Sequence, residues 1–330
     1  RPFASTAEDT QKLIARGVTA DLVNDLSKIS RLLVVSGSEA GGAQPSGESS
    51  VQRSAAAAGR YVLGGTVQVD GNRLRLHVHL EAGGGRQLWS QRFDREMRDL
   101  FTVQDEIVRS IIEQLPIKIS QAETASLAQR YTRNVAAYEH FLRAQVAVQA
   151  RRRAQNDHAR EMYWKAINLD PTFARAYAGL AMTYALAYQQ DWAEDSALGR
   201  ALEFAVTAVQ MSPESPETHW VLGFVQTQRS RHDEAIGHLQ RALALNPSYA
   251  DAYALMGGIK TYIGRPADAV PLLRSALLLN PDAGSLYFLL LGRSYFFLGD
   301  LEQARVNLDQ ALTRNAENLE ARVYLAAVLG

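Results

Sequence analysis

The second half of the chain has the hydrophobic pattern of packed helices. From about Asn134 onward, apolar residues recur with a period near 3.6, and the strand-like alternation found earlier in the chain stops. Ala-rich stretches of this kind end at prolines spaced 42, 34 and 34 residues apart. Because proline ends a helix, the spacing predicts an array of repeated helical units. The four prolines are Pro171, Pro213, Pro247 and Pro281.

Small residues occupy fixed places within each unit. Two alanines seven positions apart precede each closing proline, and a Leu-Gly or similar pair occupies the matching place in the preceding helix. Small side chains at these places allow two antiparallel helices to approach closely. The alanine pairs are Ala159/Ala166, Ala201/Ala208, Ala235/Ala242, Ala269/Ala276 and Ala304/Ala311. The Leu-Gly-like pairs are Leu180-Ala181, Leu222-Gly223, Met256-Gly257 and Leu291-Gly292.

This combination resembles the tetratricopeptide repeat, whose period is about 34 residues and whose motif includes Leu-Gly, Ala and a closing Pro. The resemblance covers roughly residues 134–316, and it implies a solenoid that binds protein. The unit that ends at Pro213 has about eight extra residues near 191–198, and Ala316 stands where the last proline would be. The tail from Asn318 has the pattern of half a further unit, which predicts a cap or a truncated continuation.

The first half of the chain has a period of two between Tyr61 and Phe93. Apolar residues at 74, 76, 78 and 80 alternate with polar residues at 73, 75, 77 and 79, as expected for a half-buried strand. Asp70-Gly71-Asn72 and a glycine-rich link at 83–86 separate this run from its neighbours. Such links are typical of hairpins, so the pattern predicts a three-stranded antiparallel meander.

Further elements are predicted around the meander. Helical patterns cover Asp9–Ser30 and Leu100–Leu115, a strand is predicted at Leu32–Ser36, and a short helix is predicted at Val51–Ala58. A first strand would end at residues 1–3. The order predicts a small α/β domain with a mixed sheet at residues 1–125, followed by an all-α repeat solenoid at 126–330.

The first domain resembles the TolB-like (FlgO-like) amino-terminal domain. The resemblance rests on five segments: residues 17–29, 61–67, 71–80, 88–95 and 100–107. The resemblance of this domain, together with the tetratricopeptide repeats that follow it, implies the carboxy-terminal region of a bacterial class III adenylate cyclase or of a CadC-like regulator. The full-length protein would then be membrane-anchored with this region in the periplasm, a cytoplasmic location being the alternative. The segment 41–47 lacks the aromatic residue and the lysine of the family.

Composition narrows the range of functions. The 330 residues include 35 basic and 35 acidic ones, so the chain lacks the net positive field of a nucleic-acid binder, and no nucleic-acid partner is predicted. The absence of cysteine excludes disulfides, thiolate metal sites and cysteine nucleophiles. No apolar run reaches the length of a membrane span, so contact with a membrane is expected only through an upstream segment. Both ends of the chain suggest a fragment of a longer protein.

Candidate chemical sites are weak in this sequence. His77 and His79 lie on one strand face and could share a metal ion, but Arg73 and Arg75 on that face oppose a cation, so a polar sheet face is favoured. The segment 37–47 lacks the ending of a phosphate-binding loop, and Arg151–Arg153 is expected in a solvated turn. No catalytic set is recognisable, so we predict no enzymatic activity, no cofactor and no metal.

A groove formed by the first helices of the repeats is the better candidate site. Aromatic residues and arginines, which dominate protein recognition surfaces, fall at groove-facing positions of the register. Ala178, Trp220 and Ala254 occupy the place where some relatives carry a carboxylate-binding lysine, so the expected partner is a less charged, partly apolar protein or peptide. The predicted groove residues are Arg175, Met182, Trp220, Phe224, Thr227, Tyr262, Arg293 and Phe297.

The leading hypothesis is a non-catalytic sensory or scaffolding region of a larger bacterial signalling protein, which binds a protein through the groove. The alternative is that the α/β domain senses a small ligand and thereby regulates an attached adenylate cyclase or transcription regulator. A third hypothesis is a structural module that forms a homodimer.

Overall fold

The computed structural model describes residues 3, 9–35, 61–82, 85–127 and 131–330. The chain divides into two compact units. The first comprises Arg1–Leu32 and Gly37–Ala176, and the second comprises Leu33–Ser36 and Tyr177–Gly330. The predicted boundary lies at 125/126, whereas the division between compact units follows Ala176, so the first repeat belongs to the first unit.

The first unit contains a sheet, several helices and the first helical repeat. Its elements are α1 (Asp9–Ser27), β1 (Tyr61–Asp70), β2 (Arg73–Ala82), β3 (Arg86–Glu96), a 3-10 turn (Met97–Asp99), α2 (Leu100–Gln114), α3 (Gln121–Leu127), α4 (Val135–Gln149), α5 (Arg153–Leu169) and the start of α6 (Ala174–Gln189).

The three strands form the predicted antiparallel meander in the order β1-β2-β3. Tyr61 pairs with Ala82 at one end of the first hairpin, and a bulge interrupts the second hairpin between Leu80 and Glu81. The apolar residues of β2 are buried, and β1 and β3 add Val67 and Phe93 to the same core. Helices α1 and α2 contact the sheet. The period of two therefore predicted both the strands and the buried face.

The predicted strand at Leu32–Ser36 is absent over the described residues 32–35. The backbone N–H of Val34 donates to Ser248 Oγ at 3.2 Å instead of to a neighbouring strand. The sheet of the described residues is therefore antiparallel and not mixed. The predicted helix at 51–58 and the segment 37–47 lie outside the described residues, and of residues 1–3 only Phe3 is described, outside any strand.

The second unit is a series of helix pairs. The elements are the rest of α6, α7 (Ser196–Met211), α8 (Pro216–Gln228), α9 (His232–Leu245), α10 (Ala250–Tyr262), α11 (Pro266–Leu279), α12 (Ser285–Leu298), α13 (Leu301–Arg314) and α14 (Leu319–Leu329). From α8 to α13 each first helix packs on the second helix of its own repeat, and consecutive repeats contact each other, while the rings of Tyr184 and Phe204 stack between α6 and α7.

Close contact between paired helices depends on the Leu-Gly position. A Cβ at Gly257 of α10 would lie 2.6 Å from Cγ of Leu273 in α11, and the matching distances in the next pairs on either side are 3.0 and 2.8 Å. Ala269 and Ala276 on α11 are fully buried. Three successive repeats thus use one packing solution, in which a leucine fills the space that a glycine leaves open. The other pairs are Gly223/Leu239 and Gly292/Leu308.

Side-chain hydrogen bonds shape several turns between repeats. Asn246 Oδ1 accepts from the N–H of Ser248 at 2.9 Å, just before α10. Asn315 Oδ1 accepts from the N–H of Glu317 at 3.1 Å before α14, although Ala316 replaces the proline there. Asp170 makes the same bond to Thr172 at 3.0 Å. The turn chemistry thus persists where the proline is missing.

The enlarged second repeat extends both of its helices. Helices α6 and α7 have 16 residues each, whereas α8 and α9 have 13 and 14. The turn between α6 and α7 covers residues 190–195, and Asp191 has a positive φ of 53°. The extra residues therefore lengthen the helices and the turn that joins them.

Candidate functional site

The first helices of the repeats form a continuous layer in the second unit. Helix α8 contacts α10, α10 contacts α12, and α12 contacts α14. We call the open side of this layer the first-helix face and define it by the predicted residues Trp220, Phe224, Thr227, Tyr262, Arg293 and Phe297. Met182 precedes them on α6 and is half-buried.

Trp220 and Phe224 form the half-buried part of this face. Their rings are stacked with centroids 6.0 Å apart, and the Trp220 ring lies 6.3 Å from that of Tyr249. Trp220 also packs against the buried core of the α9–α10 region, and its buried Nε1–H has no acceptor among the described residues. Thr227 Oγ1 donates to the carbonyl of Gly223 at 2.8 Å. Trp220 therefore contributes to packing between helices as well as to the surface.

Tyr262 and Phe297 form the open part of the face. Their side chains are 73% and 56% exposed, respectively. The Tyr262 ring lies 5.2 Å from that of His232, and the Phe297 ring lies 6.1 Å from that of Tyr324 in α14. Large aromatic side chains exposed in this way offer apolar area, to which Tyr262 adds a hydroxyl group, and such surfaces suit contact with another protein.

Arg293 lies between these aromatic positions and already has an intramolecular partner. Its Nη1 donates to Glu320 Oε1 at 2.9 Å, and the side chain is 18% exposed. The buried Nε–H has no acceptor among the described residues. The guanidinium is thus held in place and keeps one donor unused.

Arg175 is not part of an open groove, and this correction changes the predicted site. Its side chain is 7% exposed, and Nη1 donates to Asp21 Oδ1 at 2.7 Å within the first unit. The guanidinium also lies over the rings of Tyr131 and Phe141, 4.2 and 4.9 Å from their centroids. A side chain enclosed and paired in this way is not accessible to a partner protein.

Asp21 is the centre of a buried polar cluster that the sequence did not reveal. Besides the ion pair with Arg175, it accepts from Tyr138 OH at 2.5 Å and from Gln104 Nε2 at 3.4 Å. Burial and the negative charge of Asp21 raise the pKa of Tyr138 well above its usual value. The cluster joins helices α1, α2 and α4 with the start of α6.

A glycine allows α1 to approach this cluster. A Cβ at Gly17 would lie 2.7 Å from Tyr138 OH and 2.6 Å from Cδ1 of Leu142. Gly17 precedes Asp21 by one helical turn, so both face α4. A glycine and an aspartate four residues apart on an otherwise apolar stripe are the signal by which this joint could have been found.

The first unit also contains an open polar cavity of about 1120 Å³. The turn of the first hairpin and the 3-10 turn contribute Asn72 and Arg98, and the region around the first repeat contributes Arg133, Asn134 and Thr172. The wall is therefore shared between the sheet region and the first repeat, with cations, amide groups and the carboxylates of Glu139 and Asp170 that could contact a polar ligand.

The strand histidines and the run of three arginines do not form a binding site with other described residues. His77 Nε2 lies 3.0 Å from Ser90 Oγ, and His79 Nε2 lies 3.9 Å from Glu81 Oε1, so each ring has its own neighbour. Residues 151 and 152 are exposed between α4 and α5, and Arg153 is exposed as the first residue of α5, as expected from the register. Among the described residues, no group of three or more carboxylates and histidines is arranged to hold a metal ion.

No helix in the described part of the chain combines the length and hydropathy that a membrane span requires.

Comparisons with known proteins bear on the repeats. Two tetratricopeptide repeat models match residues 227–293, and residues 195–250 and 289–329. A structure of human IFIT1 has a TM-score of 0.51 at 15% identity, covering 70% of this chain and 55% of that one. A thermophilic tetratricopeptide-repeat protein from Thermus thermophilus has a TM-score of 0.47 at 23% identity, covering 59% and 99%. The predicted repeats are confirmed, and this fold is typical of protein–protein interaction scaffolds.

A curated relative supports the predicted link with cyclases. Putative adenylate cyclase 3 from Rhizobium meliloti (strain 1021) is 30% identical over 238 residues, which cover 71% of this chain. The match covers 40% of the relative's own length. The TolB-like resemblance of the first domain stays a prediction.

Proposed function

We propose that this chain is a non-catalytic scaffolding and sensory region that binds a protein partner through the first-helix face. The exposure of Tyr262 and Phe297 on neighbouring repeats is the observation that supports this most directly. The repeat fold adds support, because solenoids of helix pairs present extended binding surfaces and are generally non-catalytic. The balanced charge of the chain favours a protein over a nucleic acid as the partner.

The residues of the face suggest the chemistry of the partner. Tyr262 and Phe297 offer apolar rings, while the cation at Arg293 is already paired with Glu320. A partner segment that inserts apolar side chains would gain more here than an acidic one, because the guanidinium must first lose its intramolecular carboxylate. We therefore expect a weakly charged, partly apolar peptide or domain surface.

The experiment is a pull-down with the whole chain and a Tyr262→Ala/Phe297→Ala variant. Both residues are exposed, so the fold should be retained, in contrast to Trp220→Ala, which would also disturb the core. The matched control is Leu278→Ala/Val306→Ala, which removes exposed apolar residues from second helices. Loss of a reproducible partner in the first variant only would support the proposal, and equal recovery in all three would contradict it.

The full-length protein is proposed to be a signalling protein of the adenylate cyclase type. The similarity to the Rhizobium meliloti protein supports this, and the resemblance to CadC-like regulators offers the other output domain. Periplasmic placement and membrane anchoring derive from the resemblance alone and stay predictions, as does homodimer formation. The coding sequence on either side of this chain would distinguish a cyclase from a transcription regulator.

The polar cavity favours a second function, in which the first unit senses a small ligand. Arg98 and Arg133 line it from two regions of the chain, together with the carboxylates of Glu139 and Asp170, so a small ligand with charged groups would contact the sheet region and the first repeat together. A fragment that ends at residue 125 would lose half of this wall. The experiment is therefore a thermal-shift screen of nucleotides and carboxylates on the whole chain.

The control for this screen is an Arg133→Ala variant. A stabilising compound whose effect disappears in the variant would support ligand sensing. Failure of every nucleotide and carboxylate to stabilise the wild-type chain would count against it and would leave the partner-binding proposal untouched.

A further inference from the structure

Two histidines from neighbouring helices face each other in the third repeat. His219 belongs to α8 and His238 to α9, and their Nδ1 atoms are 3.3 Å apart. The rings are nearly parallel, with an interplanar angle of 27° and centroids 5.6 Å apart. His219 is buried and His238 is half-buried. The pair therefore bridges the two helices of one repeat.

The position of one proton follows from the surroundings of His219. Its Nε2 lies 3.0 Å from the carbonyl oxygen of Pro213, which can only accept a hydrogen bond. The Nε2 of a neutral His219 therefore carries the proton, and its Nδ1 presents a lone pair toward His238. Either an N–H of His238 or a cation between the two Nδ1 atoms satisfies this arrangement.

The distance fits a metal ion. Zinc binds imidazole nitrogen at about 2.0–2.1 Å in tetrahedral geometry, so two ligand nitrogens on one ion lie roughly 3.3–3.4 Å apart. The observed separation of 3.3 Å matches this value. The carbonyl of Pro213 also occupies the place from which a hydrogen bond orients the ring of a metal-binding histidine.

The charges near the pair are compatible with a cation. Burial lowers the pKa of both histidines, so both are neutral at pH 7 and available as ligands. The carboxylates of Glu214 and Glu234 and the guanidinium of Arg241 act on the pair. Arg241 Nη2 donates to Glu214 Oε1 at 2.7 Å in a half-exposed ion pair. Separating such a pair costs little free energy, so Glu214 can leave Arg241.

We propose that His219 and His238 bind a divalent ion of the zinc, nickel or copper class through their Nδ1 atoms, with water as further ligands. The structure brings only the two histidines together, and Glu214, whose charge acts on His219, becomes a third ligand only when it leaves Arg241. The ion fastens α8 to α9 within the third repeat. Imidazole ligands favour these ions over magnesium or calcium, so the site discriminates between the two classes.

The experiment is calorimetric titration of the whole chain with ZnCl₂, with MgCl₂ as the comparison. One zinc ion should bind, and His238→Gln should weaken binding at least tenfold while circular dichroism stays unchanged. His77→Gln/His79→Gln is the control for the other histidine pair and should leave this affinity unchanged. His219 is not substituted, because its burial would confound binding with folding.

Two further variants separate coordination from a simple histidine hydrogen bond. Glu214→Gln should weaken zinc binding several-fold, whereas Arg241→Ala should strengthen it several-fold, because it frees Glu214. An absence of zinc binding to the wild-type chain would overturn the proposal. Equal affinity in His238→Gln would also overturn it, as would binding abolished by the His77/His79 substitutions.

Discussion

The joint between α1 and α4 differs in kind from the joints within the later repeats. In the later repeats a leucine packs on a glycine, as Leu273 packs on Gly257, so the side chain that meets the glycine is apolar. Between α1 and α4 a glycine also permits close approach, but the contact centres on the carboxylate of Asp21. One chain thus joins helices through apolar packing in one place and through a buried ion pair with its hydrogen bonds in another.

This difference shows how repetition and specificity can be combined. An apolar joint depends only on matching volumes, so successive repeats can use it without change. A buried carboxylate requires its own donors, and an incorrect neighbour would leave the charge unpaired. We infer that the polar joint fixes which helix packs on α1, while the apolar joints propagate the array.

Asp21→Ala is expected to lower the stability of the protein more than any other substitution considered for these joints. It leaves Arg175 buried without its carboxylate, and loss of one partner of a buried ion pair costs about 3–5 kcal/mol. Urea unfolding with amide exchange in α1 and α4 measures the effect. The control is Asp94→Ala, which removes a half-exposed carboxylate paired with Arg73, Arg75 and Arg92 and should cost much less, because ion pairs in contact with solvent contribute little. Equal losses of stability in the two variants would show that burial of the Asp21 cluster does not increase its contribution to stability.

Gly257→Ala probes an apolar joint in the same way. The new methyl group would meet Leu273, and overpacking of this kind costs about 1–3 kcal/mol. Gly237→Ala is the matched control, because a Cβ at this helical position of α9 meets no atom within 4 Å. Alanine there should stabilise the helix by about 0.5–1 kcal/mol. The opposite signs of the two changes in urea midpoint test the assignment.

The smallest effect is expected at Glu123, a surface carboxylate of the first unit. Its oxygens accept from the N–H groups of Ser30 and Ser120 at 2.9 and 2.7 Å, and these bonds lower its pKa from 4.5 to about 2. Since the folded-state pKa is depressed, its stabilisation is complete above about pH 4.5 and is lost as the pH falls toward 2.

Glu123→Gln removes this pH-dependent contribution. The difference in melting temperature between wild type and variant should be largest near pH 7 and should shrink between about pH 4 and pH 3. A difference that stays constant across this range would show that the charge of Glu123 is not involved. Together with Asp21→Ala, this variant compares the stability contributed by a buried and by an exposed carboxylate of the same unit.

The repeats could be predicted because their signals are local. The closing prolines, the alanine pairs and the Leu-Gly positions each act within one helix pair, and the hairpin links act within a few residues. Arg175 shows the limit of this reasoning. The register alone placed it in a groove, but α1, from 154 residues earlier in the chain, supplies the aspartate that pairs with it.

Two other differences have the same origin. The apolar run from Leu32 to Val35 has the composition of a strand, but the backbone of Val34 bonds to a serine more than 200 residues away. His219 and His238 lie on different helices, so no spacing rule connects them. His77 and His79, by contrast, can be related from the sequence because residues two apart on a strand share a face.

The turns at Asp170, Asn246 and Asn315 share one structure, so a whole repeat can be removed or added between two such turns. In each of these three turns an Asp or Asn side chain bonds to the backbone two residues later, with or without proline. A cut after Asn246 and another after Asn280 would remove one whole 34-residue period and leave Asn246 followed by Pro281, a junction of the same type. The length of the array can therefore change in whole periods without a new connector, which separates the growth of the solenoid from the chemistry of its first joint.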